Sequence, residues 1–402
     1  MFDYIKIEGF RSFKSVELEM PRLAVLIGPN GGGKSNFIDL LMLMAEAGCG
    51  ELAVAVNKRG GFRNIVFGFD PSQEARVQFR FRGLRDPASD TALLPSPAGS
   101  ERKSFDVTYG VALRGVGVNF QVWEEQLRQV SVDPEGISFE IDRDATRTLF
   151  KWGIISTEFE DRKFVEDVEL AISQVKDANK YRPPYAVLQE LRHWAFYRDI
   201  DVGPEARVRQ PAVIRPDIRL LDDGSNLSPV LYSIQQGHPD LWGEILENLH
   251  TAYPDFVKVT VPAGGGDGKV HLRWFERPHE KQGLTANLLS DGTLKLLCLI
   301  AILKSPDPPP LICIDEPELG LHPDWIELVA ELMQDTAART QVIVATHSPH
   351  IVAKLDPDQV IVTEKENGET RLERLSAKDL EKWLRDFNLA DLWLAGHIGG
   401  RP

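Results

Sequence analysis

The spacing of apolar residues predicts short strands at the start of the chain and a helix after them. Residues 4–7 and 16–18 alternate apolar and polar side chains, which is typical of strands with one buried face. Residues 23–27 form a continuous apolar run that ends at a glycine, as expected of a strand buried on both faces. From Lys34 to about Gly48 the apolar residues follow a helical period, so an amphipathic helix is predicted there.

The middle of the chain reads mainly as further strands. Apolar and polar residues alternate in four stretches, at residues 75–81, 105–113, 118–123 and 137–141. Residues 86–100 are rich in proline, serine and small residues and predict a surface loop. Between Asp161 and Trp194 the apolar spacing predicts helix, and no heptad pattern persists that would indicate a long coiled coil.

The last third of the chain predicts a parallel α/β arrangement. A hairpin is expected from residues 256–261 and 270–275, and its glycine-rich turn does not open a helix, which disfavours a phosphate-binding role. A helix from Ser290 and another after Pro323 then alternate with buried strands at 311–314 and 342–345. This βαβ order predicts a largely parallel sheet.

Composition indicates a folded chain with room for two or three domains. The 402 residues carry a formal net charge of −14, with 43% hydrophobic and 26% charged residues. An acidic chain of this kind is not expected to be coated evenly by nucleic acid or by an anionic membrane. The three cysteines, Cys49, Cys298 and Cys313, lie among apolar neighbours and are predicted to be buried free thiols. With charges in place of an apolar leader at the N-terminus, we expect a cytoplasmic protein.

Residues 28–35 (GPNGGGKS) fit the pattern G-x-x-x-x-G-K-[ST] between a buried strand and an amphipathic helix. Glycines let the backbone wrap around phosphate oxygens, and the amides at the helix start stabilise their negative charge. Lys34 is predicted to reach the β- and γ-phosphates, and the Ser35 hydroxyl to bind Mg²⁺. The predicted nucleotide-binding residues of this segment are Asn30, Gly31, Gly32, Gly33, Lys34, Ser35 and Asn36.

Three further groups follow predicted secondary-structure boundaries. Asp315 and Glu316 end a buried strand, where Asp315 is expected to hold Mg²⁺ and Glu316 to polarise the attacking water. His347 ends the next strand, and adjacent parallel strands would bring it beside the γ-phosphate. Ser290 is a favourable N-cap for the helix that contains Gly292. Taken singly, each group has an ordinary structural explanation; together with the glycine-rich loop they point to nucleotide chemistry.

These motifs, in this order, resemble the ABC-type ATPases of the RecF/SMC-like branch. The glycine-rich loop resembles a Walker A motif, residues 311–318 (LICIDEPE) a Walker B motif, residues 289–293 (LSDGT) the ABC signature and residues 345–348 (ATHS) the H-loop. Residues 318–323 (ELGLHP) and 223–227 (DGSNL) are also similar to segments of this branch. Residues 7–13 (IEGFRSF) resemble its N-terminal turn, which implies that Arg11 approaches the phosphates. The Q-loop glutamine is left open between Gln73 and Gln78.

The resemblance implies an α/β P-loop ATPase head, with a mixed sheet and flanking helices, interrupted by a compact α+β insertion. The expected boundaries are an N-terminal lobe at residues 1–85, the insertion at 86–220 and a C-terminal lobe at 221–402. It also implies a head-to-tail homodimer that encloses two ATP molecules, with Ser290 and Gly292 of each copy contacting the γ-phosphate bound by the other. Lys34, Glu316 and His347 would carry catalysis.

Length limits what this ATPase is expected to do alone. Residues 348–402 are too few for the TOPRIM nuclease domain that related OLD nucleases carry after the H-loop, so a separate nuclease or effector in repair or antiviral defence is expected. Two alternatives are a nucleotide-gated scaffold with weak hydrolysis and a nucleotide-binding subunit of a transporter. Residues 57–85 hold seven basic and two acidic residues, and a second arginine-bearing stretch spans 198–219. Both a salt-bridged surface and a DNA-phosphate contact are open interpretations.

Overall fold

A computed structural model describes residues 1–87, 104–130, 137–143, 148–154, 157–162, 166–215, 219–264, 266 and 268–399. Most of the predicted loop at 86–100, and part of the glycine-rich turn near residue 265, lie outside these ranges. The chain divides into two compact units, each assembled from separate segments. Unit 1 comprises residues 1–21, 28–194 and 361–374, and unit 2 comprises residues 22–27, 195–360 and 375–402.

The described residues form the following strands and helices. The strands are β1 (Phe2–Phe10), β2 (Phe13–Glu19), β3 (Leu23–Ile27), β4 (Glu74–Arg85), β5 (Ser104–Val116), β6 (Asn119–Gln129), β7 (Ile137–Arg143), β8 (Thr148–Ile154), β9 (Thr157–Arg162), β10 (Ala195–Tyr197), β11 (Ala212–Val213), β12 (Phe256–Thr260), β13 (Lys269–Val270), β14 (Arg273–Glu276), β15 (Leu284–Thr285), β16 (Leu311–Asp315), β17 (Gln341–Ala345), β18 (Val360–Glu366) and β19 (Glu369–Arg374). The helices are α1 (Lys34–Gly48), α2 (Leu52–Lys58), α3 (Arg182–Arg192), α4 (Leu227–Gly237), α5 (Pro239–Ala252), α6 (Asp291–Leu303), α7 (Pro323–Ala337), α8 (Pro349–Val352), α9 (Ala377–Leu380) and α10 (Leu389–Leu394).

Unit 1 is built on an antiparallel sheet in the order β2-β1-β4-β5-β6-β7-β8-β9. Strands β1, β2 and β4 bury mainly apolar residues and leave most of the intervening polar residues more exposed, as their sequences predict. Phe2, Phe79 and Trp194 form one aromatic cluster, with ring centroids 5.3–5.7 Å apart. The predicted early strands, the helix from Lys34 and the strands of the middle region are confirmed.

Unit 2 is built on parallel strands in the order β10-β16-β17-β3. Residues 23–27 and 341–345 are buried throughout, which agrees with strands covered on both faces. The helices α6 and α7 connect in sequence with β16 and β17, so the predicted βαβ order is confirmed. The predicted hairpin is also present, because β12 pairs with β14 in antiparallel register.

The helix predicted between residues 161 and 194 is confirmed only for its C-terminal part, as α3. Residues 163–165 of the predicted range lie outside the described residues. Between residues 161 and 194 the described chain contains a short 3₁₀ turn at Ile172–Gln174 and only then α3, which has proline in its first turn. The main-chain amides of Ala171 and Ile172 donate to the buried Glu125 carboxylate, at 2.5 and 2.9 Å. These bonds replace helical ones, so the apolar residues here are buried without a regular helix.

Two further expectations have clear outcomes. The buried-thiol prediction is confirmed for Cys298 and Cys313 and is wrong for Cys49, which is exposed just beyond the end of α1. The longest helices among the described residues, α1 and α7, have 15 residues, so no coiled-coil arm occurs in this part of the chain. None of the described helices combines the length and the apolar content that crossing a bilayer requires.

Candidate functional site

The glycine-rich loop of unit 1 adopts backbone conformations that favour glycine. Gly28, Gly31 and Gly33 have φ values of 142°, 76° and 111°. Lys34 begins α1 and is buried, with its Nζ donating to the main-chain oxygens of Gly28 at 2.8 Å and Pro29 at 3.2 Å. The loop is therefore a closed turn at a helix N-terminus, the arrangement that binds phosphate oxygens.

The hairpin β18–β19 packs on this loop through Thr370. The Thr370 hydroxyl donates to the Gly32 carbonyl at 3.1 Å and lies 2.8 Å from the Ser12 hydroxyl. A Cβ atom at Gly33 would lie 2.6 Å from Thr370 Cγ2, closer than real side chains approach. Packing as well as backbone conformation thus requires glycine here, and the sequence alone contains no local signal that identifies Thr370.

Arg11 lies beside the first turn of α1 and is held by two side chains of that helix. Its Nη1 donates to Asn36 Oδ1 at 3.2 Å, and its Nη2 lies 2.8 Å from Asp39 Oδ2. Asp39 is buried and also accepts from Arg59 Nε at 3.1 Å. The structure therefore brings Arg11 and Asn36 together, as two predicted nucleotide-binding residues, and adds Asp39, which the motifs did not indicate.

Three other predicted residues of unit 1 are accessible, whereas Gly32 is buried. Asn30, Gly31 and Ser35 are exposed on the loop and at the start of α1. Of the two Q-loop candidates, Gln73 is exposed and donates to Asp70 at 3.3 Å, while Gln78 is an exposed residue of β4. Because both glutamines are exposed, the structure does not distinguish them, and the Q-loop residue stays an open prediction.

In unit 2 the two predicted strand-end groups meet. Asp315 is the last residue of β16 and pairs in parallel register with Ala345 of β17. Glu316 has a φ of 48° and its main-chain N–H donates to Ala345 O at 2.8 Å. His347 follows β17 by two residues, and its Nε2 lies 3.9 Å from Glu316 Oε1. The predicted adjacency of the two strands, which brings this histidine and carboxylate together, is confirmed.

Two residues that motif reasoning left without a role complete this group. Glu318 Oε1 accepts hydrogen bonds from Thr346 Oγ1 and from the main-chain N–H of His347, each at 2.7 Å. Arg198 Nε lies 3.5 Å from Asp315 Oδ2. Both contacts join residues far apart in the sequence, so only the fold reveals them.

The signature-like segment caps α6 as predicted. Ser290 is the N-cap, and its hydroxyl accepts from the Thr293 N–H at 3.2 Å. Gly292 lies against the loop after β16, because a Cβ atom there would be 2.7 Å from Gly320 O. The flanking side chains of Leu288 and Leu319 are 68% and 60% exposed, so this end of unit 2 presents apolar surface.

Arg209 holds the signature-like segment through hydrogen bonds and an ion pair. It is buried, and its Nη1 donates to the main-chain oxygens of Ala286 at 2.9 Å and Leu289 at 2.8 Å. Its Nη2 forms an ion pair with Asp291 Oδ1 at 2.5 Å. The same arginine therefore holds the first residue of α6 and two carbonyl groups that precede the helix. Farther along α6, burial lowers the pKa of Lys295.

Four of the six arginines at residues 57–85 and three of the five at 198–219 form ion pairs with carboxylates. In residues 57–85, Arg76 bonds Glu74 and Glu124, both at 2.7 Å. Arg59, Arg80 and Arg82 also form ion pairs, with Asp39 and Glu46, with Asp3 and Glu19, and with Asp3 respectively. In the second stretch, Arg198, Arg209 and Arg219 pair with Asp315, Asp291 and Asp307. These contacts favour the salt-bridged interpretation of both stretches.

Comparison with solved structures shows the fold. An SMC head bound to the C-winged helix domain of ScpA is similar with a TM-score of 0.55 and 15% identity, over 95% of this chain and 99% of that chain. SMC heads from Pyrococcus furiosus and Thermotoga maritima give TM-scores of 0.49 and 0.44, at 14% and 13% identity. They cover 96% and 93% of this chain, and 98% and 99% of their own. No curated protein matches the chain.

The family comparison covers most of the chain. The matching family is described as "AAA domain, putative AbiEii toxin, Type IV TA system", and the match spans residues 23–353. That range contains the glycine-rich loop, the signature-like segment, Asp315, Glu316 and His347. The chain therefore belongs to this family of AAA-domain P-loop proteins, with the α/β fold of an ABC-type, SMC-like ATPase head.

Proposed function

We propose that this protein binds and hydrolyses ATP and uses the cycle as a dimeric switch. One observation carries the proposal. Glu316 and His347 follow adjacent parallel strands, and His347 Nε2 lies 3.9 Å from Glu316 Oε1. In the proposed reaction Glu316 orients water for in-line attack and His347 donates a hydrogen bond to the γ-phosphate. Lys34 supplies positive charge to the phosphates.

Mg²⁺ is the proposed metal, with the Ser35 hydroxyl and the Asp315 carboxylate as its protein ligands. Both are oxygen donors of the kind this ion prefers. An ion held by these two groups would take its remaining ligands from phosphate and water. When bound, the ion would neutralise charge that develops on the phosphate oxygens.

The proposed dimer is a head-to-tail pair in which the signature segment of each copy faces the nucleotide of the other. Ser290 and Gly292 are the residues proposed to touch the γ-phosphate from the partner copy. The exposed Leu288 and Leu319 beside them supply apolar surface that such a partner would cover. Closure on ATP and reopening after hydrolysis would convert the nucleotide state into a change of shape.

For the biological setting we propose a cytoplasmic, DNA-linked role in antiviral defence or repair, together with a separate nuclease or effector. The family description, which refers to a toxin of a toxin–antitoxin system, supports the defence role. The similar SMC head is bound to a domain of ScpA, which supports a protein partner here. The ion-paired arginines of residues 57–85 give the DNA link little support.

The test is ATP turnover by the full chain and by Glu316→Gln, with and without duplex DNA. Loss of the water-orienting carboxylate is expected to lower kcat by about 10²–10⁴-fold while ATP still binds. The matched control is Glu331→Gln, an exposed glutamate of α7, which should leave kcat unchanged. Equal and negligible turnover by both proteins would overturn hydrolysis and favour the gated scaffold. Absence of DNA stimulation at low salt would remove the DNA link.

A further inference from the structure

We propose that Glu318 is a positioning residue, which holds His347 in register with Glu316 for hydrolysis. The inference rests on the proposed function, since it assigns a role within the same ATPase site. Glu318 is not itself placed on the nucleotide. Its carboxylate instead ties the loop after β16 to the turn after β17, and these two loops carry the two catalytic side chains.

The contacts of Glu318 are concentrated on one oxygen. Oε1 accepts from Thr346 Oγ1 and from His347 N–H, both at 2.7 Å. One bond comes from a side chain and the other from the main chain of the next residue, so together they restrain the turn after β17. Thr346 is fully buried and its own N–H donates to Leu26 O at 3.1 Å, which attaches the turn to strand β3.

The two hydrogen bonds of Glu318 fix the main chain at His347 relative to Glu316. Glu316 is held from the other side, because its N–H donates to Ala345 O at 2.8 Å. With both main-chain segments fixed, His347 Nε2 lies 3.9 Å from Glu316 Oε1. Without Glu318 the turn keeps its bond to β3 but loses the bond from the His347 amide to the loop after β16.

Substitution by glutamine can separate the role of the Glu318 acceptor oxygen from the role of its charge. Glu318 Oε2 is buried and has no hydrogen-bond partner among the described residues. A glutamine presents one carbonyl oxygen that can accept both bonds of Oε1. Glu318→Gln should therefore keep the turn in place, whereas Glu318→Ala removes both bonds.

The test measures kcat, KM and the Kd of a non-hydrolysable ATP analogue for Glu318→Ala, Glu318→Gln and His347→Ala. Glu318→Ala is expected to lower kcat by about 10–100-fold, the usual effect of removing a residue that orients a catalytic ligand. The KM and Kd should change little, and Glu318→Gln should stay close to wild type. In the double variant Glu318→Ala/His347→Ala, kcat should fall no further than in His347→Ala alone.

Two results would overturn the inference: additive losses in the double variant, or equal losses in Glu318→Gln and Glu318→Ala. Thr346→Val serves as a second variant, because it keeps nearly the same volume, removes the bond to Glu318 Oε1 and keeps the His347 N–H bond to that oxygen. It also removes the bond that Thr346 Oγ1 accepts from the Ser348 N–H at 2.9 Å, and it should give an intermediate loss. Glu331→Ala is the control for removal of a glutamate. Failure of the proposed function has a different signature, namely wild-type turnover no higher than that of Glu316→Gln.

Discussion

Substitution of Gly33 tests how the glycine-rich loop is built. The residue combines a φ of 111° with close packing, because an added Cβ would lie 2.6 Å from both Cγ2 and Oγ1 of Thr370. Gly31 provides a matched control, with a φ of 76° and no atom within 4 Å of an added Cβ. Both positions strain an alanine backbone, but only Gly33→Ala also creates an overlap. The difference between the two variants therefore isolates the contact with the hairpin.

The magnitude follows from these two terms. A left-handed backbone costs alanine about 1–2 kcal/mol at either position. Overpacking against Thr370 should lower the free energy of unfolding of Gly33→Ala by about a further 1–3 kcal/mol. For a unit of this size each kcal/mol lowers the melting temperature by about 2–4 °C. Calorimetry of the nucleotide-free protein should therefore show a larger decrease for Gly33→Ala than for Gly31→Ala, by at least about 2 °C.

A second substitution at the contact distinguishes packing from backbone strain alone. Thr370→Ala removes the two atoms at 2.6 Å and leaves Cβ at 3.1 Å from the added methyl group. In that background Gly33→Ala should be less destabilising than in wild type, with a coupling energy of about 0.5–3 kcal/mol. Equal melting temperatures for Gly33→Ala and Gly31→Ala, together with zero coupling, would refute the role assigned to the hairpin.

Two further predictions concern unit 2 and the thiols. Asp291→Ala should lower the free energy of unfolding by less than about 1 kcal/mol, because its side chain is largely exposed. Arg209→Ala should cost several times more in urea unfolding, since it leaves buried carbonyl groups without donors. Burial raises the pKa of Cys298 to about 12 and that of Cys313 well above its usual value, so both stay neutral and covered at pH 8. Ellman's reagent should titrate Cys49 alone in the native chain, and labelling of a second thiol before unfolding would contradict this.

Hydrophobic patterning predicted the elements whose burial is uniform or strictly alternating. The runs at residues 23–27 and 341–345 are buried at every position, so no competing period exists in them. The helix predicted across residues 161–194 shows where the pattern is insufficient, because it is confirmed only from Arg182 onwards. Leu170, Ala171 and Ile172 are buried, yet their conformation is set by hydrogen bonds to Glu125, a residue of β6. A distant buried acceptor of this kind leaves no mark in the local spacing of apolar residues.

The residues of the candidate site also fall into two groups, those with a recognisable sequence pattern and those identified only by a tertiary contact. The loop glycines, Lys34, Asp315, Glu316 and His347 could be proposed from the sequence because a phosphate site needs particular residue types at fixed spacing after a strand. Their roles at a nucleotide stay predictions. Thr370, Asp39 and Glu318 were not given a role, because each acts through a tertiary contact. A threonine in a strand or a glutamate in a loop has many ordinary explanations until the fold shows what it touches.

The arginines of residues 57–85 show why a local charge count overestimates a binding surface. Seven basic residues face two acidic ones within that range, but most of the ion-pair partners come from outside it, namely Asp3, Glu19, Asp39, Glu46 and Glu124. Each phosphate contact by a paired arginine would have to displace a carboxylate. Few counterions would then be released per site, so DNA binding through this face predicts a shallow dependence of affinity on salt. A slope of log Kd against log salt that corresponds to several phosphates would instead place DNA on another surface.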